Sequence, residues 1–107
     1  MDFEKMKKMA RTGSYTNEAA AHRLLAARKA CKLSQSELAA AVNRNATTII
    51  AIEKARQLPS WGLMMWFHNH HRIDVNFFVA GEFSQLPGDV QELLFASLTE
   101  LEKNRAA

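Results

Sequence analysis

The stretch SQSELAAAVNRNATTIIAIEK, residues 34–54, decides how this chain folds. Ser34 followed three residues later by Glu37 is the capping-box pattern, in which each side chain satisfies a backbone N–H of the other residue at the start of a helix. We therefore expect a short helix over residues 35–42. Asn43 tolerates a left-handed backbone better than most residues, so it marks the end of that helix.

The second half of this stretch predicts another helix, over residues 46–54. Its β-branched residues favour a strand on propensity alone. Ile49 and Ile52 are three apart, however, which suits one face of a helix, and Ala51 breaks the alternation that a strand needs. Asn45 is a favourable N-cap, so the helix begins directly after it.

Two short helices joined by a three-residue turn form an arrangement that lets the second helix enter the DNA major groove. Ala39 supplies the small residue that the first helix needs where the two helices cross. The side chains expected between the helices are Leu38, Val42, Ile49 and Ile52. The outward-facing side chains of the second helix must be short so that this helix can approach DNA. The short residues on the second helix and its cap are Asn45, Ala46, Thr47, Thr48, Ile50 and Ala51.

Apolar residues at helical spacing predict more helices around this pair. The helices expected between residues 17 and 81 cover residues 17–31, 35–42, 46–54, 61–69 and 75–80. We therefore expect an all-α chain with a five-helix DNA-binding domain at residues 17–81. An N-terminal arm, residues 1–16, precedes it, and residues 82–107 follow.

The N-terminal arm is basic. Phe3, Met6 and Met9 are spaced for a short helix that Gly13 ends. The other interpretation is a frayed, solvated terminus, and it is the one we favour.

An amphipathic helix is predicted over residues 90–104, because its apolar residues fall on one stripe. This stripe could fold back on its own domain. Since five helices already form a core, we expect instead a homodimer, with a second copy covering the stripe. The residues assigned to dimerisation are Val90, Leu94, Leu98 and Leu101.

Charge is distributed unevenly along the 107 residues. Residues 1–60 carry 11 Lys or Arg against 5 Asp or Glu, whereas residues 61–107 carry 3 against 6. The N-terminal half is therefore the side that a polyanion would bind. Every apolar stretch is too short for a membrane span, and nothing resembles a secretion signal, so we expect a cytoplasmic protein with no membrane partner.

No arrangement of residues indicates catalysis, a metal or a cofactor. Cys31 is the single cysteine, so neither an intrachain disulfide nor a cysteine-cluster metal site can form. The run HNHH, residues 68–71, invites a metal interpretation, but with no cysteine or acidic ligand beside it we interpret it as a helix end. We expect no cofactor, and an enzyme is the weakest of the functional hypotheses.

The chain resembles the Cro and phage-repressor class of helix-turn-helix proteins, the XRE family, over residues 22–81. The motifs that carry the resemblance are LSQSELAAAV and the turn after it, TIIAIEK, LPS, and RIDVNFFVAG, in the family's order and spacing. The resemblance implies a lambda-repressor-like fold and binding to double-stranded DNA.

Position by position, the resemblance implies roles for individual residues. Gln35 matches the residue that holds a DNA phosphate, and Arg28 with Glu53 matches an ion pair between the first and third helices of the domain. Base-facing positions fall on Ala46, Thr47 and Ala51. The DNA-binding residues expected overall are Gln35, Arg44, Asn45, Ala46, Thr47, Thr48, Ile50, Ala51, Lys54 and Arg56.

The chain also departs from the family pattern. Asn43 and Lys32 stand where the family usually has glycine, and Arg44 stands where it usually has an apolar residue. The base-facing set lacks the Gln or Arg side chains that read bases through paired hydrogen bonds. Contacts with thymine methyl groups and the shape of the DNA would then carry more of the specificity.

These features lead to one preferred function and one alternative. The preferred function is a sequence-specific transcriptional regulator, a repressor that binds an inverted-repeat operator as a dimer. The alternative is an antitoxin-like protein that inhibits a partner toxin and autoregulates its operon. A toxin gene beside this one would distinguish the two.

Overall fold

The protein, described by a computed structural model for residues 1–106 and for the side chains of residues 1–105, is all-helical. The described part contains seven helices and no strand. In chain order they are α1 (Phe3–Ala10), α2 (Asn17–Ala30), α3 (Gln35–Ala41), α4 (Ala46–Glu53), α5 (Trp61–His71), α6 (Val75–Ala80) and α7 (Gly88–Ala106). None of these helices is long and apolar enough to cross a membrane.

Side-chain caps set where the first six helices begin. In each, the residue before the helix is extended and its side-chain oxygen accepts the backbone N–H three residues on. These cap residues are Asp2, Thr16, Ser34, Asn45, Ser60 and Asp74. The capping box of Ser34 and Glu37 is present in full. The predicted helices after residue 16 are confirmed, with ends within two residues of their expected positions.

The N-terminal segment is packed, so the prediction of a frayed arm is wrong. Met9 and Ala10 of α1 are buried, and α1 packs against α7. The ring centres of Phe3 and Phe83 are 5.5 Å apart. The C-terminal part of the apolar face of α1, at Met9 and Ala10, is therefore covered by the rest of the chain.

The apolar stripe of α7 lies inside the chain and is not free to bind a second copy. The four residues assigned to dimerisation, Val90, Leu94, Leu98 and Leu101, are all buried. Since α7 packs against α2 and α1, these helices supply the apolar surface that the stripe needed. The dimer contacts predicted for these four residues are corrected accordingly.

One hydrophobic core joins the three segments proposed from the sequence. A single buried cluster includes Met9 from the first, Leu24 and Ile49 from the second, and Leu94 and Leu98 from the third. α2 lies at the centre, because it packs against α4 as well as against α7. It therefore holds α4 and α7 in fixed positions.

A buried arginine ties α1 and α6 to α2. Arg23 has no solvent exposure, and its guanidinium donates to the carbonyl of Ala10 at 2.8 Å, of Ser14 at 2.9 Å and of Phe78 at 3.2 Å. It also donates to the carbonyl oxygens of Arg11 and Val79. Burial lowers the pKa of Arg23 to about 10, which still leaves it charged at neutral pH.

Gly81 is required where this arginine approaches α6. Its φ is +71°, and a Cβ there would lie 2.6 Å from the carbonyl oxygen of Ala10 and 2.8 Å from the guanidinium of Arg23. The helix therefore ends on the one residue type that fits both the backbone and the contact.

The buried His22 should make the stability of the fold depend on pH. The pKa of His22 is lowered, mainly by burial and secondly by the positive charge of the nearby Arg11. Arg105 lowers this pKa further, whereas the negative charge of Glu102 raises it. The Nε2 of His22 lies 3.9 Å from a carboxylate oxygen of Glu102, and no hydrogen-bond partner for it occurs among the described residues.

Because the folded pKa is lowered, the unfolded chain binds a proton first as the pH falls. We therefore expect a constant melting temperature above neutral pH and a decrease below about pH 6.5. Calorimetry across this range should show a weaker pH dependence for His22→Gln, with the exposed His68→Gln as the control. An unchanged pH dependence in His22→Gln would contradict this account.

Candidate nucleic-acid interface

A tight turn joins α3 to α4. Asn43 is left-handed with φ 56°, and the N–H of Arg44 donates to the carbonyl of Ala39 at 2.8 Å. Ala39, Leu38, Ile49 and Ile52 are buried, and α3 packs against α4. The two short helices predicted from residues 34–54, and the tight turn between them, are present in the structure.

The outer face of α4 carries short side chains, but they are not equally accessible. Asn45 and Thr47 are exposed, whereas Thr48, Ile50 and Ala51 are half-buried. Ala46 is also half-buried and packs against the core. Of the residues predicted to face DNA bases, Thr47 is therefore the most accessible.

Two predicted contact residues are partly engaged within the chain. The side-chain oxygen of Asn45 accepts the N–H of Thr48 at 3.1 Å, and the hydroxyl of Thr48 lies 3.3 Å from the same oxygen. The amide nitrogen of Asn45 and the methyl group of Thr48 are outside these hydrogen bonds.

The ion pair expected between α2 and α4 is formed. Nε of Arg28 donates to one carboxylate oxygen of Glu53 at 2.6 Å, and a second guanidinium nitrogen donates to the other oxygen at 3.0 Å. Both side chains are at least nine-tenths buried. Arg28 also donates to the carbonyl of Leu33 at 2.8 Å, which ties it to the segment that leads into α3.

Gln35 joins this ion pair, which the sequence did not indicate. Its side-chain Nε2 donates to the carboxylate of Glu53 at 3.0 Å. A side-chain amide has two N–H groups, so this bond occupies one donor and leaves the second for another acceptor. The half-buried Gln35 is thus held at the start of α3, against the carboxylate of the buried pair.

A basic loop follows α4. Lys54 and Arg56 are exposed, and neither forms an ion pair with a described residue, nor does Arg44 in the turn before α4. Between the two loop residues, Ala55 is left-handed with φ 61°, and its carbonyl accepts the side-chain amide of Asn17 at 3.3 Å. The loop therefore presents two exposed cations directly after α4.

The other candidate reactive groups, the histidines of the HNHH run and Cys31, show no sign of a metal site or of a reactive thiol. His70 of the HNHH run stacks on Trp66 at 5.0 Å between ring centres, and no three residues of metal-binding type come together among the described residues. Burial raises the pKa of the Cys31 thiol to about 11, so it remains protonated at neutral pH.

The chain matches no family model, no curated protein and no solved structure.

Proposed function

We propose that this protein is a sequence-specific DNA-binding regulator of transcription, built on a lambda-repressor-like domain formed by α2 to α6. The observation that carries the proposal is the pair α3 and α4, packed against each other across a tight turn, with short side chains outward on α4. A helix that presents such a face can approach the base edges of the major groove closely. Arg44, Lys54 and Arg56 lie at the two ends of α4.

Phosphate contacts would set the position of the protein on DNA. Arg44, Lys54 and Arg56 are exposed cations, and the free N–H of the Gln35 side chain points to the same role. Contacts of this kind supply affinity and register but no sequence information.

Base recognition would fall to Thr47, with the half-buried Ala51 and Ile50 beside it. A threonine hydroxyl can bond with several base edges, and the methyl groups of all three residues suit the methyl group of thymine. None of these residues makes the paired hydrogen bonds that arginine makes with guanine. Sequence preference would therefore come from apolar contacts and from the shape of the DNA.

Regulation would follow from binding alone. A protein that occupies an operator excludes polymerase without any chemistry, so we infer that it acts as a repressor. The polar groups of the proposed DNA face serve as hydrogen-bond donors and cations, and the mechanism requires no cofactor.

Selection of random duplexes with the full chain, followed by titrations at several salt concentrations, tests the proposal. A dimer that neutralises about four to eight phosphates should give a log–log salt dependence with a slope of about −4 to −7, at ~0.9 per phosphate. Enrichment of one sequence class with such a slope supports the proposal. Absence of enrichment, or binding that is insensitive to salt, would contradict it.

A further inference from the structure

An open groove lies between the end of α2 and α7. Its volume is about 600 Å³, within the range of ~300 to 1,000 Å³ that is typical of small-molecule sites. Residues from the last turn of α2, from the segment that leads into α3 and from α7 line it. We call it the α2–α7 groove. None of the residues proposed to contact DNA lines this groove, so it is separate from the proposed function.

Part of the α2–α7 groove is apolar and open to water. Leu33, from the segment after α2, lines it together with Leu93 and Leu101 of α7. Leu93 is 55% exposed, and it is the one large apolar side chain on the described part of α7 that the fold leaves in water. The hydrophobic effect therefore favours a ligand with an apolar body that covers Leu93.

Two lysines that line the same groove have no counter-ion. Lys29 and Lys32 are exposed, and neither forms an ion pair with a described residue. The acidic residue of the groove, Glu100, has a partner of its own, because its carboxylate lies 3.6 Å from the ammonium of Lys103. The uncompensated charge in the groove is therefore positive.

Other polar groups around the groove are already satisfied within the chain. Arg28 is paired with Glu53, and the hydroxyl of Ser97 donates to the carbonyl of Ala26 at 2.8 Å. Free carbonyls at the end of α2 would repel an anion, but those of Arg28 and Lys29 accept backbone N–H groups from the turn that follows. Among the charged groups, the two lysine ammonium groups are therefore the ones left to meet a ligand.

The backbone at Lys32 favours glycine. Its φ is 58°, in the left-handed region that glycine enters without steric cost and other residues do not. The turn would form more easily with glycine, so what lysine adds at this position is a positive charge beside the groove.

We propose that the α2–α7 groove binds an amphipathic organic anion, a molecule with an aliphatic or aromatic body and one anionic head group. The apolar body covers Leu93 and Leu33, and the head group pairs with Lys29 and Lys32. Inorganic phosphate would match the lysines but leave Leu93 in water. A neutral apolar molecule would leave the ammonium groups without a counter-ion, so a ligand that has both parts fits this groove best.

Fluorescence titration of the full chain with 1-anilinonaphthalene-8-sulfonate tests the proposal, because this probe joins aromatic rings to one sulfonate. N-phenyl-1-naphthylamine has the same rings without the sulfonate and serves as the neutral probe. We expect the wild-type protein to bind the anionic probe with a Kd below about 1 mM.

Variants distinguish the α2–α7 groove from other apolar surfaces. The double variant Lys29→Gln, Lys32→Gly should weaken binding of the anionic probe at least about fivefold and leave the neutral probe unchanged. Leu93→Asp should weaken both probes. The matched control is Lys5→Gln, Lys8→Gln, which removes two exposed lysines of α1 that do not line the groove. Glycine suits the backbone at Lys32 and the other sites are exposed, so circular dichroism should show unchanged folding.

Three results would overturn this inference: no binding of the anionic probe, equal affinity of that probe for the wild type and for the double variant in the groove, or an equal loss in the control variant on α1. Absence of binding is also the result expected if a second copy of the chain covers the groove. Because the titration contains no DNA, failure of the proposed function would leave its result unchanged.

Discussion

Replacing Arg23 by methionine should reduce the free energy of unfolding by at least about 3 kcal/mol. Its guanidinium satisfies carbonyl groups from α1, from the segment before α2 and from the end of α6. Each buried polar group that loses its partner costs about 1 to 3 kcal/mol, and methionine restores none of them. Methionine largely keeps the apolar stem of the arginine side chain, so the decrease in the free energy of unfolding measures the contribution of the hydrogen bonds.

Denaturant unfolding of Arg23→Met measures this effect, with the exposed Arg56→Met as the control. Arg23→Lys should lie between the two, since an ammonium keeps the charge but cannot reach so many carbonyls. Equal stability of Arg23→Met and Arg56→Met would show that the buried arginine contributes nothing to holding α1 and α6.

The second large effect is expected at Glu53. Glu53→Gln removes the negative charge that Arg28 and Gln35 share, and it leaves the Arg28 guanidinium buried with no anion. Breaking a buried ion pair from one side typically costs about 3 to 5 kcal/mol, far more than an exposed pair is worth. Thermal melting measures the loss.

Glu100→Gln provides the control for Glu53→Gln. Glu100 is paired with Lys103 on α7, but both side chains are 69% exposed, so its loss should be small. If the two variants melt at the same temperature, the pair between α2 and α4 does not stabilise the fold.

The local parts of this structure could be predicted because their causes lie within a few residues. The capping box of Ser34 and Glu37 and the N-cap of Asn45 each involve groups three residues apart. Even the left-handed backbone at Asn43 follows from a residue type that tolerates it. The pair α3 and α4 and the turn between them are assembled from these local signals.

What covers each apolar face could not be predicted, because a stripe shows only that some partner exists. The stripe with Leu94 and Leu98 was assigned to a second copy, yet α2 and α1 cover it. The burial of Met9 in α1 was missed for the same reason. Periodicity identifies a buried face of a helix, whereas its partner is decided by contacts between distant segments.

Arg23 could not be recognised from the sequence at all. Arginines in amphipathic helices usually lie at the surface, and the carbonyls it binds come from residues up to 56 positions away.

Affinity for the selected duplex, compared between Thr47→Glu and Ala96→Glu, tests the central claim most directly. Both residues are exposed and both changes add one negative charge, but Thr47 is on the outer face of α4 and Ala96 is on α7. A glutamate in the first turn of α4 suits the helix dipole, so folding should be preserved. Fluorescence anisotropy should show binding at least about tenfold weaker for Thr47→Glu and nearly unchanged for Ala96→Glu. Equal affinities of the two variants would contradict the claim that α4 contacts DNA.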